Sequence, residues 1–133
     1  MPHHFKFGHA NHPEWRDAVL ACLAQIGEVP TTANLGFIYV TDSFAPHLAE
    51  MLEVVKAETG IAHWVGSTGV GICSTGQEYL DQPAAAIMLR EFPQNTFHVF
   101  STLRDPDAIA GEISVGSNPA YLASFTAIRR INR

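Results

Sequence analysis

NLGFIYVTDSFAPHLAEMLEVVKAETGIAHWVG, residues 34–66, is the stretch that decides the fold. Its first nine residues form a β-branched and aromatic run, apolar at nearly every position, which predicts a strand covered on both faces. SFAPHLAEMLEVVKAETG, residues 43–60, then sets Phe44, Leu48, Met51, Leu52 and Val55 on one helical face, with Gly60 to close it. Pro46 limits where this helix begins, because a proline nitrogen is harmless only in the first turn; Ser43 to Ala45 is the expected cap region. A short strand, IAHWVG, follows Gly60. Strand, helix and strand within about 33 residues make a βαβ unit with parallel strands.

Upstream, NHPEWRDAVLACLAQIG, residues 11–27, places Trp15, Ala18, Val19, Cys22, Leu23 and Ile26 at helical spacing between Pro13 and Gly27. Downstream, PAAAIMLREF (83–92) and TFHVFSTL (96–103) read as strands joined by a hairpin turn at PQN. The expected class is α/β or α+β, with a mixed sheet, a central βαβ unit and helices packed on it.

At 133 residues the chain has the size of one domain. Its 47% hydrophobic content suits a globular core, and the formal net charge of −5 argues against nucleic acid or anionic membrane as partners. The N-terminal MPHHFKFGHANHPEW lacks the apolar core of a signal peptide, and no run of eighteen apolar residues occurs, so the cytoplasm is the expected compartment. Cys22 and Cys73 are the only cysteines and show no zinc spacing, so neither a disulfide framework nor a metal site is expected. His3, His4, His9 and His12 cluster near the start without a ligand motif.

The chemistry gathers at WVGSTGVGICSTG, residues 64–76, where four glycines stand in an uncharged stretch. If the βαβ strands are neighbours, Thr41-Asp42-Ser43 and Gly66-Ser67-Thr68-Gly69 leave the sheet on the same edge, where ligands of open parallel sheets bind. Backbone amides beside small hydroxyls suit an anion, and Asp42 suits a cation, so a zwitterion such as an amino acid fits both. Nucleotide readings fail: Gly66 and Gly71 have P-loop separation, but Ile72 and Cys73 replace the needed Lys and Ser/Thr. Gly69-Val70-Gly71 meets Ser74 where a dinucleotide fingerprint needs its third glycine, so no cofactor is expected. The plainer reading of the glycines is tight turns and close strand packing. Asp42 has its own plain reading as a helix-entrance residue.

The segments ANLGFIYVTD, GIAHWVGSTGVGIC and GQEYLDQPAAAIML, in that order, resemble the N-terminal part of the FIST family of bacterial sensory domains. The likeness covers about residues 5 to 104 and is most specific from Trp64-Val65-Gly66 to Cys73, followed by Glu78-Tyr79 and Pro83. It implies a non-enzymatic signal-transduction domain that binds an amino acid or similar small polar metabolite and passes the signal to a protein partner. The expected ligand-binding set is Asp42, Ser43, Gly66, Ser67, Thr68, Gly69, Gly71, Cys73 and Glu78, with no catalytic residue. Two other readings remain: an assembly module without ligand, and a cysteine-dependent enzyme using Cys73 with His63 or His98 as base and Glu78 as orienter.

Family members are typically longer, so residues 1–112 are expected to form the FIST-like domain and 113–133 a separate, helix-prone segment. The charge agrees: 5 basic and 13 acidic residues precede position 113, whereas 3 basic and no acidic residues follow. A shortened sheet would leave an open edge, and a homo-oligomer is therefore expected.

Overall fold

The computed structural model describes residues 5–93 apart from 75, together with 96, 97 and 99. Six strands and two helices run in the order β1 (Lys6–Asn11), α1 (Trp15–Ile26), β2 (Leu35–Thr41), a 3-10 turn (Asp42–His47), α2 (Leu48–Thr59), β3 (Trp64–Gly69), β4 (Gly71–Ser74), β5 (Gln77–Leu80) and β6 (Ala84–Arg90). Four strands form one sheet in the order β1-β6-β2-β3, and β4 and β5 form a separate hairpin.

The expected mixed sheet and its parallel centre are present. β2 pairs parallel with β3, Phe37 opposite Val65 and Thr41 opposite Gly69, and antiparallel with β6. β1 also runs antiparallel to β6, so β1, β2 and β3 all point the same way and their carboxyl ends share one edge.

Alternation along the strands divides the sheet into two faces. On the inner face Ile38, Val40, Trp64, Ala85, Ile87 and Leu89 pack against Ala18, Val19, Cys22 and Ile26 of α1 and Leu48, Met51 and Val55 of α2. Both helices therefore bury the stripes their spacing predicts. α1 ends at Gly27 (φ 71°) and α2 at Gly60 (φ 72°), both at a positive φ that a residue without Cβ adopts freely, Gly60 in a left-handed cap. On the outer face Leu35, Phe37 and Val65 lie under Phe92, Phe97 and Val99, while Ile72 and Tyr79 of the hairpin cover Ala84 and Ala86. β2 is thus covered on both sides, as its unbroken apolar run requires.

The structure departs from the sequence reading at three points. Ser43 to Ala45 do not cap the second helix: with Pro46 they lie within the 3-10 turn, and α2 starts at Leu48 with His47 at its N-cap. A turn ahead of the helix leaves no α-helical hydrogen bond for the missing N–H of Pro46 to break. The strand expected to end at Gly66 runs on, and most of the glycine stretch is strand: residues 64–69 and 71–74, with a corner at Val70. Gly66 is buried, and a Cβ there would overlap the carbonyl of Ile38 on β2, so close strand approach explains it. The third is β1, which the sequence reading left unassigned. The segments 96–103 and 113–133, with the turn at 93–95, lie wholly or mostly outside the described residues.

Candidate functional site

Three strand ends converge on the carboxyl edge of the sheet: Asn11 of β1, Thr41 of β2 and Gly69 of β3. Thr41 is the one buried polar residue of the described core, at 2% exposure. Its Oγ1 accepts the N–H of Ala84 at 2.9 Å and so bolts the end of β2 to the start of β6. The chain then leaves β2 through Asp42 and Ser43 and enters β6 through Asp81, Gln82 and Pro83. Both connections, with Val70 at the β3–β4 corner, line a hollow of about 260 Å³.

Its electrostatics follow from the lining, which holds Asp42 and Asp81 and no basic side chain. Neither carboxylate makes a hydrogen bond or ion pair among the described residues, and both are exposed. Asp81 has a φ of 51°, a left-handed conformation that aspartate tolerates better than most residues and that turns the chain sharply into β6. Gln82 is held in place by Asn11, whose Nδ2 donates to its Oε1 at 2.8 Å. The arrangement suits a small cationic group, with a carboxamide and the Ser43 hydroxyl beside it.

The other expected site residues lie elsewhere. Ser67, Thr68, Gly69, Gly71 and Cys73 line a second hollow of about 280 Å³ together with Tyr39 and Ile72. The backbone of 69–71 borders both hollows, since Val70 lines the first and its neighbours the second. Gly66 lines neither. Glu78 sits exposed on β5 opposite Cys73, and it too lines neither hollow. Asp42 makes no side-chain hydrogen bond among the described residues, and it stands in the first turn of the 3-10 segment, where the plain reading of a helix-entrance acid still applies.

For the cysteine-centred arrangement, His63 packs its ring edge-on against Phe97, 5.9 Å between centroids, and lines none of the hollows that Cys73 lines. His98 lies outside the described residues. Cys22 is fully buried, donates from Sγ to the Ala85 carbonyl at 3.4 Å, and belongs to the core as its helical position predicts. His9 is bonded to the Tyr79 hydroxyl at 2.6 Å and pins the hairpin to β1; His12 accepts from the Glu14 N–H at 3.0 Å. His3 and His4 lie outside the described residues.

Asp81, Gln82, Asn11 and Tyr39 were missed from sequence. Asp81-Gln82-Pro83 carries a turn signal, and the turn was readable, but its position opposite Asp42 follows only from β6 inserting beside β2.

A family model described as the FIST N domain matches residues 34–126. No curated protein and no solved structure matches the chain. No helix among the described residues is long and apolar enough to cross a membrane.

Proposed function

Since the chain belongs to the FIST N domain family, whose members are sensory domains of signal transduction, we propose that it binds a small amine-bearing metabolite, an amino acid in the simplest case. One observation carries this reading: the carboxylates of Asp42 and Asp81, without a partner among the described residues, line a common hollow at the carboxyl edge of the parallel strands. The ammonium group lies between them, and the ligand's carboxylate lies toward the backbone of 69–71, where the two hollows adjoin.

Binding there would bear on the hairpin, because the corner at Val70 leads directly into β4. Val70 and Leu80 are 68% and 58% exposed; Val70 lines the hollow, and Leu80 precedes Asp81, which lines it too. This apolar surface is where a signalling protein partner would read the occupancy of the site. The chemistry is capture rather than catalysis, with no cofactor.

Thermal-shift and calorimetric titrations with amino acids and their 2-keto acid counterparts test the reading. An amino acid is expected to raise the unfolding midpoint while the keto acid, lacking the amine, does not. Asp42→Asn is expected to weaken binding about tenfold, as loss of a charge-assisted hydrogen bond does. No response to any amino acid, or equal affinity in the variant, would overturn it.

A second feature bears on self-association: among the described residues β3 is the last strand of the sheet, and its residues 64–69 carry no charge and no proline. Edges of this kind pair with further strands unless they are blocked. Light scattering at tens of micromolar is expected to give at least a dimer mass, reduced to the monomer by Ser67→Lys; a monomeric wild type ends this reading.

A further inference from the structure

We propose a second binding site on the outer face of the sheet, for an uncharged, ring-sized molecule bearing one hydrogen-bond acceptor. The register builds it. His9, Ala86, Tyr39 and Ser67 form one row across the outer face, and Phe7, Met88, Phe37 and Val65 form the next. Ala86 is the smallest side chain in its row and leaves a step between His9 and Tyr39, which Ile72 and Tyr79 of the hairpin roof in part. The hairpin strand β4 stands on one side of the step with Cys73 and Ser74, and Phe5 and Phe7 rise on the other.

The hollow, open on one side, is about 430 Å³, within the range of small-molecule sites. Its size comes from what surrounds it, not from a gap in the core: Phe5 and Phe7 keep 37% and 43% of their surface exposed at the rim. Such rings offer apolar area to a flat guest, and the Met88 thioether offers a polarisable contact.

The lining dictates the charge of the guest. It has no acidic or basic side chain, so an ion entering it would lose its hydration without gaining a partner. This separates it from the acidic hollow at the strand ends. Two hydroxyl-bearing residues, Tyr39 and Ser74, line it, and the Tyr39 hydroxyl makes no hydrogen bond among the described residues. Burial raises the phenol's pKa, which keeps it protonated and a donor. An acceptor on the guest satisfies it, and Cys73, exposed at the rim, reports on occupancy.

Acetophenone, a neutral ring with one carbonyl, is the probe, and benzoate is its charged twin. In methyl-labelled protein, acetophenone is expected to shift the Met88 methyl resonance saturably and to slow alkylation of Cys73 several-fold, whereas benzoate does neither. Tyr39→Phe is expected to bind about fivefold more weakly through loss of one hydrogen bond. Ala86→Leu is expected to abolish the shift, and Phe7→Asp, at a rim position that tolerates polarity, serves if Ala86→Leu does not fold. A shift that never saturates, an equal response to benzoate, or unchanged binding in both Tyr39→Phe and Phe7→Asp would overturn the proposal.

Discussion

Gly66→Ala is expected to lose about 3 kcal/mol or more of folding stability, at the upper end of what overpacking costs in a close-packed interior. Gly66 pairs with Ile38 across the parallel β2–β3 ladder, and an added methyl would overlap the Ile38 carbonyl. That atom is backbone in a central strand held on both sides, so it cannot rotate away. Relief requires β3 to separate from β2, which would disturb the burial of Trp64 and Val65 on the two faces. Gly69→Ala is the control, since its Cβ would stand 3.2 Å from the Gly71 carbonyl, a contact that a small shift of the corner absorbs. Urea unfolding of both variants checks the contrast. A Gly66→Ala midpoint indistinguishable from wild type would mean that the strands do not approach as closely as described.

The second large effect is alkaline. Burial pushes the Cys22 thiol from its ordinary 9.0 up to about 12. Below pH 9 both folded and unfolded chains hold the proton, and the contribution to stability is fully present. Between 9.0 and about 12 the unfolded chain loses the proton first, so stability falls as pH rises, by about 1.4 kcal/mol per unit and about 4 kcal/mol in all. Tyr79 acts in the same direction, because burial also raises its pKa. Cys22→Ala separates the contributions: it is expected to be less stable at neutral pH, through the cavity it leaves, yet to lose less stability between pH 8 and 10.5. Parallel stability curves for variant and wild type over that range would contradict the assignment.

Periodicity carried the reading where the burial pattern was strong. β2 is apolar at almost every position because both its faces are covered, and α1 and α2 announce their buried stripes and their glycine stops. β1 escaped because Lys6–Asn11 is the outermost strand among the described residues, where Phe7 keeps 43% of its surface exposed, and because Gly8 stands where an apolar inner-face residue would mark the pattern. A Cβ at Gly8 would overlap the Cys22 carbonyl, so that glycine answers to the close seating of α1, a constraint invisible before the two are packed. The hairpin β4–β5 had a local mark in Gly76, whose φ of 80° makes the two-residue turn between Ser74 and Gln77. Its short strands were hidden by the glycines beside them.

The candidate site divides along the same line. Asp42 and the edge to which it belongs were legible, because a βαβ unit puts the ends of both its strands together by connectivity alone. Asp81 and Gln82 were not, because they reach Asp42 only through β6, which inserts between β1 and β2 out of chain order. The sequence by itself determined the two amphipathic helices, the parallel pair β2–β3 and the edge on which ligands gather, since these depend on residues close along the chain. Only the tertiary structure decided which carboxylates share a hollow and which face carries the apolar one. Those follow from strand order and register, and a slip of one residue would send every side chain to the other face.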